Sequence, residues 1–145
     1  MEASVNGAFF STGQRCTASS RLIVTEGIHD RFVGALVERM QGLNVDDAVK
    51  DGTHIGPVVD QKQMQQDVDY IEIGQGEGAS LVAGGDRLRL DTEGYYMSPA
   101  LFSETVASMR INKEEVARIV LRENAAGVPK GRGRMGFSGF SLMSP

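Results

Sequence analysis

The sequence predicts an α/β fold, layered as strand, helix, helix, strand. Two observations carry this. A short β-branched run is followed by two helical stretches and then by more strand-like segments, and such alternation builds helices against a sheet. The composition is also that of an ordinary globular chain: 145 residues, 41% hydrophobic and 23% charged. A chain of this length buries about 68% of its unfolded surface, enough for a core.

In chain order, Gly13 marks a turn before Cys16, and the small residues Thr17 to Ser20 follow. Arg21 to Thr25 reads as a buried strand that Gly27 ends. His29 to Leu43 is the clearest helix. Phe32, Leu36, Met40 and Leu43 recur at helical spacing, Val33 and Val37 widen the stripe, and Arg31, Glu38 and Arg39 fall on the other side. Ile55-Gly56-Pro57-Val58-Val59 leads into a second helix. Asp60 is its expected N-cap, with Gln63 three residues on as the capping-box partner. Met64, Val68 and Ile71 form its apolar edge, and it is expected to end near Gly74. Ser80 to Ala83 reads as a strand, and Gly84-Gly85-Asp86 as a turn. Tyr95-Tyr96-Met97 and Leu101-Phe102 read as extended, with Pro99 at an edge or strand end. Met109-Arg110-Ile111 reads as one more short strand. The stretch from Val128 to Pro145 is glycine-rich, has no helical period, and is expected to be irregular.

The net charge of −4 divides unevenly, with −8 over residues 1–116 and +4 over 117–145. The acidic body argues against nucleic-acid binding. The short basic run Lys130-Gly131-Arg132-Gly133-Arg134 reads as a solvated tail. No apolar stretch approaches the roughly 20 residues that span a membrane. The N-terminus does not read as a secretory signal. The one cysteine allows no intrachain disulfide, which fits a reducing, cytoplasmic setting. One Cys with the distant His29 and His54 supports no metal site.

Gly13-Gln14-Arg15-Cys16-Thr17-Ala18 is the segment with chemical potential. A single cysteine is often a small buried hydrophobe. A glycine turn leading to a helix start, with Arg15 alongside, would instead favour a reactive thiolate. Gly74-Gln75-Gly76-Glu77-Gly78 has glycines at dinucleotide-like spacing, but it follows a helix and reads as a C-terminal loop.

The run Phe9-Phe10-Ser11-Thr12-Gly13-Gln14-Arg15-Cys16-Thr17-Ala18-Ser19-Ser20-Arg21 resembles the active-site cysteine segment of the aldehyde dehydrogenase superfamily. The likeness continues in order through His29 to Val33, Ile55 to Val59, Tyr70 to Leu81, Gly84-Gly85, Gly94 to Phe102 and Met109 to Val116. It covers about residues 4–116. It implies part of an aldehyde dehydrogenase catalytic domain over residues 1–116, and 117–145 as an unrelated basic tail. It also implies that Cys16 attacks an aldehyde to give a thiohemiacetal. Hydride then passes to NAD or NADP, and a thioester is hydrolysed. The Cys16 backbone N–H would form half of an oxyanion hole. Glu115 falls where the family places a carboxylate on the cofactor ribose, and Gln63 where some members approach the adenosine side. Taken alone, Glu115 reads as a surface carboxylate and Gln63 as a capping residue. The wording around Cys16 resembles branches acting on semialdehydes such as that of 2-oxoglutarate.

The family's phosphate-binding part, general base and oxyanion asparagine lie upstream of its cysteine. Glu2 and Asn6 stand at the wrong spacing to carry those roles. After Glu115-Val116 the chain reads Ala117-Arg118-Ile119 where the family continues Phe-Gly-Pro. This reads as a fragment, expected to be inactive alone and to self-associate through exposed apolar faces. The alternatives are a non-catalytic remnant that binds a partner, and a basic-tailed nucleic-acid binder.

Overall fold

The structure, a computed structural model, describes residues 2–114 and the backbone of residues 119–124. The elements are α1 (Glu2–Phe9), β1 (Arg21–Val24), α2 (His29–Gln41), α3 (Gln61–Gly76), β2 (Ser80–Ala83), β3 (Arg87–Leu88), β4 (Tyr96–Met97), β5 (Ala100–Thr105), α4 (Arg110–Lys113) and β6 (Ile119–Asn124). Four strands form a mixed sheet in the order β1-β6-β5-β2, parallel at β1–β6 and β6–β5 and antiparallel at β5–β2. A two-stranded ribbon, β3–β4, lies beside it. The fold is α/β.

β5 fixes the layers. Every residue of Ala100–Thr105 except Glu104 is buried, as in a central strand covered on both faces. Successive side chains point to opposite faces of a sheet. Phe102 packs with Met64, Ile71, Met97 and Ile111 on the α3 side. Leu101 packs with Val5, Phe9, Leu36, Met40 and Ile55 on the side of α1 and α2. The result is three layers: α3, the sheet, then α1 with α2.

The helices form for local reasons. In α2 the expected stripe is the packed one, with Leu36 and Met40 buried and Phe32, Val37 and Leu43 against them. Glu2 of α1 clasps the Arg39 guanidinium at 2.7 and 3.2 Å, pinning the two helices together. That hydrogen bond with Arg39 holds the Glu2 carboxyl below its ordinary value. In α3 the Asp60 side chain accepts the Gln63 N–H at 2.8 Å, the expected N-cap. α3 runs to Gly76, one half-turn beyond the expected end at Gly74.

Three expectations are corrected. β1 is not a buried strand. It lies at the sheet edge, its burial is confined to Val24, and Ile23 is 72% exposed, because α3 covers β5 and not β1. Met109 to Ile111 is not a strand. Arg110–Lys113 is a helical turn, closed by the Arg110–Glu114 pair and by the Asn112 side chain donating to the Val106 carbonyl. The N-terminal residues, read only as the approach to a turn, form α1. The boundary expected after residue 116 falls among residues outside those described, just ahead of β6. The stretch expected to be irregular, 128–145, also lies outside them. Among the described residues no helix is long and apolar enough to cross a membrane.

Candidate active site

The site grows from the end of α1. Val5, Ala8 and Phe9 anchor that helix, each no more than 3% exposed. A 3-10 turn follows over Phe10–Gly13. Ser11 (φ 55°), Thr12 (φ 59°) and Gly13 (φ 72°) are all left-handed. Glycine takes this conformation freely, whereas each of the other two stores about 1–3 kcal/mol of strain. Local bonds hold them. The Ser11 carbonyl accepts the Gln14 N–H at 3.0 Å. The Thr12 hydroxyl lies 2.6 Å from that carbonyl and 3.0 Å from Gln14 Oε1.

Cys16 sits in the next turn. The Ala18 N–H donates to the Arg15 carbonyl at 2.9 Å, placing Cys16 and Thr17 at the turn's two central positions. The turn is sewn back onto α1 on both sides of the thiol. Arg15 Nη2 donates to the Asn6 carbonyl at 3.1 Å, and the Ser19 N–H donates to the Gly7 carbonyl at 2.8 Å. The approach is close, since a Cβ at Gly7 would lie 3.0 Å from Ser19 Oγ. Cys16 is a free, exposed cysteine, so the reading of it as a small buried hydrophobe does not hold.

The expected helix start at Cys16 is absent. The neighbouring helix, α1, precedes it and presents its C-terminal end, where the macrodipole is negative. The expected dipole support for a thiolate is therefore not built here. Among the described residues no carboxylate or imidazole is hydrogen-bonded to this turn. Glu2, already discounted as a base by spacing, is committed to Arg39.

The other candidates lie elsewhere. Gln63 stands in the first turn of α3, half-buried. Its side chain does not reach back to complete a capping box. It runs forward, donating from Nε2 to Asp67 Oδ1 at 2.9 Å. The structure does not bring it to the Cys16 turn, since α3 packs on the opposite face of the sheet. Glu115 lies outside the described residues. Its neighbour Glu114 carries a network that sequence reading missed, although the spacing of Arg110 and Glu114 signals a helical pair. The Glu114 carboxylate accepts Tyr70 Oη at 2.5 Å and Arg110 Nε and Nη2 at 2.9 and 3.1 Å. Its carbonyl accepts Arg21 Nη2 at 3.1 Å. A groove of about 710 Å³ runs beside it, lined by Gln61, Lys62, Gln65, Tyr70, Ile73 and Arg110 among others. Among the described residues no cluster of three or more His, Cys, Asp or Glu could hold a metal ion.

Hydrogen bonds from Arg110, then from Tyr70, hold the Glu114 carboxyl below its ordinary 4.5. The bond to Glu114, helped by burial, pushes the Tyr70 hydroxyl above its ordinary 10.0. The lowered carboxyl adds stability that is present above 4.5 and is lost as pH falls through its folded value. The raised phenol adds stability that is present below 10.0 and is lost as pH rises through its folded value. Glu114→Gln is therefore expected to lower stability at neutral pH, by a gap that narrows as pH falls below 4.5. Urea titrations from neutral to acid pH check this, and a gap that does not narrow would contradict it.

The comparisons with known proteins agree on one family. The model of the aldehyde dehydrogenase family matches residues 1–120. The chain is 42% identical over 117 residues to the α-ketoglutaric semialdehyde dehydrogenase of Bacillus subtilis, covering 79% of this chain and 24% of that protein. It is 39% identical over 120 residues to the 2,5-dioxopentanoate dehydrogenase of Saccharolobus solfataricus, covering 83% and 24%. Among solved structures, it matches the betaine aldehyde dehydrogenase of Staphylococcus aureus in complex with NAD+ at 31% identity and a TM-score of 0.81, covering 85% of this chain and 25% of that one. A point mutant of that enzyme, solved with NAD+ and a β-mercaptoethanol-modified cysteine, matches equally well. The chain spans about a quarter of the length of these relatives. With a family match over most of its length and a shared fold, this chain belongs to the aldehyde dehydrogenase family.

Proposed function

We propose that this chain carries the nucleophile of an NAD(P)-dependent aldehyde dehydrogenase, and that Cys16 is that nucleophile. The observation that carries the reading is the exposed thiol held at the centre of a turn bonded on both sides to α1. The Cys16 sulfur, as thiolate, bonds to the aldehyde carbon while the carbonyl electron pair moves to oxygen. The Cys16 backbone N–H would donate to that oxygen, a kind of contact worth about 3–4 kcal/mol in the transition state. Protonation of the oxygen gives the thiohemiacetal.

The nicotinamide cofactor of this family, when bound, supplies the hydride acceptor for the next stage. The described residues do not form a site for it. The glycine loop at Gly74 to Gly78 lies at the C-terminal end of α3, where the helix dipole repels phosphate, and the Gln63 amide is engaged by Asp67. Cofactor roles for Gln63 and Glu115 rest on the family resemblance. A semialdehyde substrate is supported by the two relatives named for that activity, since 2,5-dioxopentanoate and α-ketoglutaric semialdehyde are one molecule. A cytoplasmic setting, the division after residue 116 and self-association belong to the same reading. Exposed Ile23, Ile28 and Val59 supply the apolar surface for association.

The test uses an activated ester. With p-nitrophenyl acetate, the Cys16 sulfur bonds to the acetyl carbon, the ester C–O bond breaks, and p-nitrophenolate leaves with its electron pair. The 145-residue chain is expected to release about one equivalent rapidly, and Cys16→Ala to release none in that phase. The same chain with aldehydes and NAD(P)+ is expected to yield no reduced cofactor at an enzyme-like rate, because among the described residues no base is hydrogen-bonded to the turn to drive deacylation. Equal release from Cys16→Ala would sink the reading in favour of a non-catalytic remnant.

A further inference from the structure

We infer that Arg15 is a positioning residue for Cys16, holding the thiol-bearing turn on α1 through its hydrogen bond to the Asn6 carbonyl. The inference rests on the reading of Cys16 as the nucleophile.

Arg15 occupies two joints of the turn at once. Its carbonyl accepts the Ala18 N–H, which closes the turn, and its guanidinium reaches nine residues back to Asn6. Its Cα is one peptide from that of Cys16, about 3.8 Å away. Displacement of Arg15 therefore carries the thiol with it. The far end of the tether is rigid. Asn6 lies between Val5 and Ala8, which are 1% and 3% exposed, and α1 is also clasped to α2 through Glu2 and Arg39. The last carbonyls of a helix carry partial negative charge and accept cationic donors favourably. Arg15 is thus suited to Asn6 on electrostatic grounds as well as by reach.

The Ser19–Gly7 bond holds only the outgoing side of the turn. On the incoming side the chain passes through the left-handed Ser11 and Thr12, whose relaxation would pull the turn away. Arg15 is the side chain that ties this strained approach to the helix. A nucleophile displaced by about 1 Å loses up to about 100-fold in rate. One restraint among several is expected to account for about tenfold.

The experiment measures the p-nitrophenolate burst of the full chain against pH, in the parent, Arg15→Met, Arg15→Lys and Cys16→Ala. Met keeps the aliphatic stem and removes the donor. The plateau rate constant of the burst is expected to fall about tenfold in Arg15→Met, with the midpoint of the pH profile and the melting temperature unchanged. Arg15→Lys, which retains one donor to the carbonyl, is expected to recover most of the rate. An unchanged plateau in Arg15→Met would overturn the inference while leaving Cys16 as nucleophile. So would a loss that came wholly from a shifted midpoint, because Arg15 would then act by charge and not by position. A Lys variant no faster than the Met variant would overturn it too. Burst release persisting in Cys16→Ala would remove the inference together with the reading beneath it.

Discussion

Phe102→Ala is expected to destabilise the chain by about 3–5 kcal/mol. Phe102 is fully buried at the centre of β5. Its backbone is flanked by Leu81 on one side and Leu121 on the other. Its ring lies in a notch that α3 opens by carrying Gly74, where a Cβ would stand 3.1 Å from the ring edge and 3.1 Å from Ile111 Cδ1. The ring therefore fills the space that Gly74 leaves between α3 and β5. Its removal forfeits the transfer energy of the ring and leaves a cavity between these layers. Domains of this size hold about 5–15 kcal/mol in total, so the variant is expected to lose a large share of its stability. Urea titration with far-ultraviolet circular dichroism measures the loss. A value below about 1 kcal/mol would show that the layers are not locked through this ring.

Gly84→Ala is the second large effect, and it acts through the backbone. Gly84 has φ +63°, which an alanine adopts at a cost of about 1–2 kcal/mol. Its new methyl would also fall 1.9 Å from the Pro99 carbonyl oxygen and 2.8 Å from the carbonyl carbon. Neither atom belongs to a side chain that can swing away, so the turn after β2 must separate from the residue that enters β5. The neighbouring glycine is the control. Gly85 is also left-handed, at φ +88°, but a methyl there meets the tip of Ile71 at 3.1 Å, which can yield. Gly84→Ala is expected to lose more than about 2 kcal/mol, and Gly85→Ala about 1–2. Thermal melts of the pair check the order, and equal losses would mean the Pro99 contact relaxes freely.

Much of this fold is legible in the sequence where one signal dominates. Leu36 and Met40 declare the buried side of α2, Asp60 announces α3, and Ser80 to Ala83 reads as the strand it forms. The missed elements are those whose cause lies far away in the chain. α1 has eight residues, too few to be stable alone, and it stands because Val5 and Phe9 meet Leu36 and Ile55. β1 reads as buried because its residues are apolar, yet its burial depends on how far α3 extends. The four-residue α4 is shorter than any period can resolve. At the site, the identity of Cys16 is plain from its surroundings in the sequence. The return of Arg15 and Ser19 to the end of α1 depends on three left-handed residues, two of which are not glycine, and no residue pattern announces them.

The parallel pairing of β1 with β6 also governs the order of events during synthesis. Arg21 partners Leu121, about a hundred residues later. On a ribosome adding about 5–20 residues per second, β1 waits on the order of 5–20 s for its partner to emerge. α1, the cysteine turn and α2 are all made within that interval, before the strand beside them has a neighbour. Closing so long a loop is slow compared with forming the local helices. The nascent chain therefore passes through a stage in which β1 has no strand partner at all, the stage most open to capture by chaperones and to pairing with another copy.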